Sequence, residues 1–122
     1  MLLGVKPDSE AARSLLEVDL AAQTARLSVD GTPAAPVPIS SGRPSFPTPR
    51  GEFVITDKHR KWRSTIYPAD MPFFMRLSCG DFGLHAGYLP GYPASHGCIR
   101  LNQEDAENFF KTVPIGTRVL IK

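Results

Sequence analysis

Three histidines and two cysteines are the residues of this chain best suited to nucleophilic or metal chemistry. They are not scattered. His85, His96 and Cys98 all fall in the glycine- and proline-rich stretch LHAGYLPGYPASHGCIRL, Leu84 to Leu101. A thiol has an ordinary pKa of about 8.5, so a reactive cysteine needs a base or a cation close by. Either histidine can serve as that base. Gly97, directly before Cys98, lets backbone approach a substrate and turns N–H groups toward a developing oxyanion. The combination points to a cysteine nucleophile, set against the plainer reading of Cys98 as a small buried hydrophobe.

Two further chemistries compete for the same side chains. His85, His96, Cys98 and Cys79 offer nitrogen and sulfur enough for a tetrahedral zinc site. The His96-x-Cys98 spacing, however, matches neither the C-x₂₋₄-C nor the H-x₃₋₅-H clip. A redox pair of Cys79 with Cys98 lacks a C-x-x-C arrangement. His59, in DKHRKWR, reads as a solvated loop residue among basic neighbours. Trp62, Tyr67, Tyr88 and Tyr92 fit loop anchors and groove walls equally well.

Something must hold these residues in place, and 122 residues supply one domain with a single core. Its 42% hydrophobic and 21% charged content is that of an ordinary globular protein. Twelve prolines are about twice the usual share of about 5%, which argues against a helical bundle and for strands and turns. The net charge of +2 comes without a Lys/Arg block, so no nucleic-acid partner is expected. No apolar run approaches the length of about 18 residues that a membrane span needs. The opening MLLGVKPDSE lacks the positive start and the apolar length of an intact signal peptide. This leaves a cytosolic protein or one whose leader has been removed.

Residues 1–13 carry no clear periodicity and read as a loose arm, with a single domain over 14–122. LLEVDL alternates Leu16, Val18 and Leu20 with Glu17 and Asp19, the pattern of a half-buried strand. ARLSVDG repeats it and ends on the turn signal Asp30-Gly31, and VPIS completes an antiparallel meander. SGRPSFPTPRG must be irregular. GEFVIT and PFFMRLSC are strands, the second alternating Phe73, Met75 and Leu77 with Phe74, Arg76 and Ser78. DKHRKWRSTIYPADM between them reads as a long, charged loop. FGLHA is a short strand delivering His85 at its end. One helix follows Asn102, with Glu104 and Asp105 in its first turn and Ala106, Phe109, Phe110 and Val113 on one face. Pro114 and Gly116 end it, and TRVLIK closes the chain as a strand. The expected fold is mainly β, an antiparallel sandwich or partly closed barrel with one C-terminal-region helix packed on it.

At SHGCIRL, Ser95 to Leu101, with His85 upstream, the sequence resembles the L,D-transpeptidase catalytic domain, the cysteine enzymes of bacterial peptidoglycan. The likeness runs from about Leu15 to Lys122. It takes in the VDLAAQT hairpin, the SSGRPSFPTPRGEF segment, similar to the family's S-x-G…TP-x-G-x-F loop, and the closing GTRVLI. The resemblance implies Cys98 as nucleophile and His85 as general base, oriented by the backbone carbonyl of Ala86. It implies that His96 and Gly97 shape the turn, with backbone N–H groups around Gly97 and Cys98 as the oxyanion hole. Arg100, with Ser95 in support, would hold a substrate carboxylate or brace the site, and Tyr88 and Tyr67 are the candidate groove residues beside them.

The implied reaction is acyl transfer from a stem tetrapeptide, releasing D-alanine, with no metal or organic cofactor. Hydrolysis of the same acyl-enzyme would make an L,D-carboxypeptidase, and loss of chemistry a wall-binding module. Peptidoglycan stem peptides are the implied partner, the periplasm or cell envelope the implied location, and a monomer the expected state. Thirteen positions separate His85 from Cys98, short for the family, which implies a trimmed loop over the cleft. Arginine at position 100 stands where many members carry asparagine.

Overall fold

Alternating burial in SLLEVD makes β1, Ser14–Asp19, in which Ser14, Leu16 and Val18 face inward. A tight turn, with the Asp19 carboxylate accepting from the Ala22 N–H at 3.0 Å, leads into β2, Thr24–Val29. Asp30 and Gly31 both take positive φ, +53° and +79°, the geometry of a two-residue type I′ hairpin turn. Short strands β3, Thr32–Pro33, and β4, Val37–Pro38, then pair in succession along β2. The computed structural model describes residues 11–63, 70–78, 80 and 82–122. The expected arm therefore lies mostly outside the described residues. At its end Ala11 is helical and buried, and Arg13 pairs with Asp30 at 2.7 Å.

β5, Gly51–His59, joins the two halves of the sheet. Its first four residues pair with β9, Arg118–Ile121, and Ile55 and the last three pair with β6, Phe74–Leu77, with an irregularity between Ile55 and Asp57. The strand runs further than expected, because DKH belongs to it. Its polar side chains are each partnered. Asp57 takes Arg76 at 3.1 Å and His59 at 2.6 Å, and Lys58 Nζ donates to the carbonyls of Phe110 and Val113 at 2.6 and 2.8 Å. His59, expected as a solvated loop residue, is instead a strand residue lying 4.6 Å from the Trp62 ring.

The order across the sheet is β3-β2-β1-β9-β5-β6-β7-β8, with β7 at Gly83–Ala86 and β8 at Ile99–Leu101. Two pairings depart from the antiparallel expectation, β1 with β9 and β7 with β8. Parallel neighbours need a crossover of about a dozen residues or more, which residues 87–98 supply between β7 and β8. The helix α1, Gln103–Thr112, is capped by Asn102, whose side chain accepts from the Asp105 N–H at 2.8 Å. Ala106 and Phe109 press its inner face onto the sheet.

PFFMRLSC also behaves differently from a simple alternation. Phe73 takes φ +56° ahead of the strand, and Met75 and Leu77 enter the main core. Phe74, on the opposite face, is buried too, in a second apolar cluster with Met71 and Cys98. Both faces of β6 are thus covered.

Candidate active site

The parallel register sets the site. Leu84 faces Ile99, His85 faces Arg100 and Ala86 faces Leu101. Because side chains alternate across a strand, Cys98, Arg100 and His85 share one face while Leu84, Ile99 and Leu101 point into the core. Cys98, Arg100 and His85, with Asp70, Met71, Ala86, Gly87, Tyr88, Ser95 and His96, line a hollow of about 410 Å³.

Within it the imidazole of His85 is buried, with Nδ1 at 2.8 Å from the Ala86 carbonyl oxygen. A carbonyl only accepts, so Nδ1 carries the proton and Nε2 keeps its lone pair. Burial pushes the His85 pKa down, against the Ala86 hydrogen bond and with help from the Arg100 charge. Burial pushes the Cys98 thiol up, opposed by a hydrogen bond with the Gly83 backbone and by Arg100. Both shifts favour the uncharged forms, a thiol and an imidazole that line the same hollow.

The loop that carries Cys98 is fastened to the SSGRPSFPTP segment. Ser40 and Arg100 exchange backbone hydrogen bonds at 3.0 and 2.9 Å, Ser41 O accepts from Ala94 and Ser95, and Arg43 N–H reaches Ser95 O at 2.9 Å. The Ser40 hydroxyl donates to Tyr92 O at 2.8 Å and the Thr48 hydroxyl to Gly97 O at 2.7 Å. Gly42 has no room for a side chain, since a Cβ there would lie 2.0 Å from the Phe46 carbonyl oxygen. Gly97 has room, but its φ of +129° is one that glycine alone adopts comfortably.

Ser95 is 2% exposed. It borders the hollow, but its hydroxyl is spent within the loop, donating to the Cys98 carbonyl and accepting the Gly97 N–H at 3.0 Å. This takes the Gly97 N–H out of the expected oxyanion hole and leaves the Cys98 N–H. His96 is exposed. Its Nε2 lies 3.3 Å from the Arg43 guanidinium and its ring 5.0 Å from Phe46, at the rim. Arg100 is half-buried and reaches the carbonyls of Tyr88 and Ala94 at 3.4 and 3.5 Å, while Tyr88 itself is 77% exposed. Tyr67 and Cys79 lie outside the described residues. Among the described residues no three of His, Cys, Asp and Glu gather as a metal cluster, and no helix is long and apolar enough to cross a membrane.

Sequence reasoning passed over Ser40, Ser41 and Thr48 as functional residues. The signal was present: three hydroxyls in a glycine- and proline-rich segment too irregular to satisfy its own backbone.

The model of the L,D-transpeptidase catalytic domain, YkuD, matches residues 13–121. A Mycobacterium tuberculosis protein named Probable L,D-transpeptidase 3 is 36% identical over 104 residues, covering 70% of this chain and 38% of that protein. The YkuD protein of Bacillus subtilis is 30% identical over 118 residues, 94% of this chain and 70% of that protein. Among solved structures, an L,D-transpeptidase from Mycobacterium smegmatis superposes with a TM-score of 0.85 at 28% identity, covering 90% of this chain and 58% of that one. The chain thus spans 38% of the length of the Mycobacterium tuberculosis relative and 58% of the Mycobacterium smegmatis structure. With its mainly β fold, a curled sheet and one helix, and a family match over nearly its whole length, the chain belongs to the L,D-transpeptidase catalytic domain family.

Proposed function

We propose that this chain carries out L,D-transpeptidation on peptidoglycan stem tetrapeptides through a Cys98 acyl-enzyme. The observation that carries the proposal is the strand register, which gathers Cys98, His85 and Arg100 on one face above a single hollow.

In the first half-reaction, His85 Nε2 takes the Cys98 proton as the sulfur bonds to the carbonyl carbon of the bond between the L-centre and D-alanine. The tetrahedral oxyanion is met by the Cys98 N–H. As the C–N bond breaks, His85 returns the proton to the departing D-alanine amine, leaving a thioester. An amine from a second stem peptide then attacks the thioester, His85 accepts its proton, and the sulfur leaves to be protonated again. Arg100 supplies a fixed cation for a stem-peptide carboxylate. The burial of both reacting groups favours concerted proton transfer over a standing thiolate–imidazolium pair. Such a substrate lies outside the cytoplasm, so the working location in this reading is the periplasm or cell envelope.

The test is incubation of the protein with disaccharide-tetrapeptide, the products read by mass spectrometry. The expected product is a cross-linked dimer lighter by one D-alanine, absent with Cys98→Ala. Tripeptide alone would move the reading to L,D-carboxypeptidation by the same residues. No turnover by the wild-type protein would overturn both.

A further inference from the structure

Thr48 is 49 residues from Gly97 in sequence, yet its hydroxyl touches the nucleophile loop. It is 5% exposed and has two partners. The Gly42 N–H donates to it at 2.8 Å, which obliges the single hydroxyl proton to go to the Gly97 carbonyl at 2.7 Å.

That carbonyl shares a peptide plane with the Cys98 N–H, and in a trans peptide the two point in opposite directions. The unit around the nucleophile has four polar backbone groups. Ser95 holds the Gly97 N–H and the Cys98 carbonyl, and Thr48 holds the Gly97 carbonyl. Among the described residues no acceptor stands against the fourth, the Cys98 N–H. Gly97, at φ +129°, sits in a region where glycine turns freely, so the plane needs an outside restraint.

We propose that Thr48 is a positioning residue for acyl transfer: its grip on the Gly97 carbonyl fixes the Gly97–Cys98 peptide plane and aims the Cys98 N–H at the substrate oxyanion. The inference rests on the transpeptidation reading above, and goes beyond it by assigning a role to a side chain that touches no reacting atom. Removing an oxyanion donor slows turnover about 10²–10³-fold, and misaiming one by an ångström has effects of similar order.

The experiment compares Thr48→Val, which keeps shape and loses the hydroxyl, with Thr48→Ser, which keeps the hydroxyl. Turnover of disaccharide-tetrapeptide and alkylation of Cys98 by iodoacetamide are both followed. Thr48→Val is expected to lower kcat about 10- to 100-fold with little change in KM, and Thr48→Ser to restore kcat to near wild type. The alkylation rate is expected to stay at the wild-type value, because displacement of iodide forms no oxyanion. Unchanged kcat in Thr48→Val, equal loss in Thr48→Ser, or a parallel fall in alkylation would each overturn the proposal. If Thr48→Val does not fold, Thr48→Ala is read in its place, and failure of both to fold makes Thr48 a fold residue and overturns it. Wild-type protein inactive on the tetrapeptide would instead overturn the transpeptidation reading, and this inference with it.

Discussion

His85 and Arg100 stand directly opposite each other in the parallel register of β7 and β8, so a permanent cation faces the buried imidazole. The same guanidinium bears on Cys98. Arg100 therefore makes the imidazole harder to protonate and the thiol easier to ionise, favouring a proton's departure from both. Replacing it by Gln should move the midpoint of Cys98 alkylation with pH upward. The rate of iodoacetamide labelling between pH 6 and 11 reads this directly, and a midpoint that stayed put or fell would contradict it.

Burial dominates at Cys98 even with Arg100 present. The wild-type thiol should therefore react with iodoacetamide at pH 7 more slowly than a free cysteine in a short peptide. A rate above the peptide's would mean that Cys98 rests as thiolate.

The two shifts also set a window for stability. The His85 pKa is held below its ordinary 6.5, so below pH 6.5 the unfolded chain binds the proton more readily and stability falls as pH drops. The Cys98 pKa is raised above that of an ordinary thiol, so above about pH 9 the unfolded chain ionises first and stability falls as pH rises. The contribution of this pair to Tm should thus be flat between about pH 6.5 and 9 and decline on either side. Thermal unfolding of His85→Gln should lose its part of the acid-side decline, and Cys98→Ser its part of the alkaline one.

Gly97 and Gly42 are required for different reasons, and alanine separates them. At Gly97 the added methyl meets open space, so the cost is backbone strain alone, about 1–3 kcal/mol. At Gly42 it collides with the Phe46 carbonyl, and the Gly42–Thr48 hydrogen bond must shift. Urea unfolding should find both variants less stable, with Gly42→Ala the worse.

Much of this was legible in sequence, because period and turn chemistry are local. Leu16 and Val18, Asp30-Gly31 and the Asn102 cap stand where alternation, turn preference and capping put them. Two kinds of information were not local. The parallel pairing of β7 with β8 depends on what a crossover brings together, and no residue in GLHA or IRL encodes direction. The extension of β5 through Asp57, Lys58 and His59 depends on partners 19 to 55 residues away, so three polar residues read as loop. At the site, the clustering of His85, Cys98 and Arg100 followed from spacing and resemblance. The charge state did not, because burial is a property of the assembled fold: Cys98 lies under Phe74 and Met71, and no neighbour in sequence announces that.

The crossover between β7 and β8 has one more implication. His85 is fixed by one end of it and Cys98 by the other, each anchored in a hydrogen-bonded ladder or against it. The middle of the connection, around Leu89 to Gly91, carries neither, and Tyr92 after it is tied to the Ser40 hydroxyl. Chain can be added or removed there without changing which atom faces which, so the length of the connection and the geometry its ends hold are separable modules. An engineer could graft a longer or differently charged loop at Gly91 while His85 and Cys98 stay where the strands hold them.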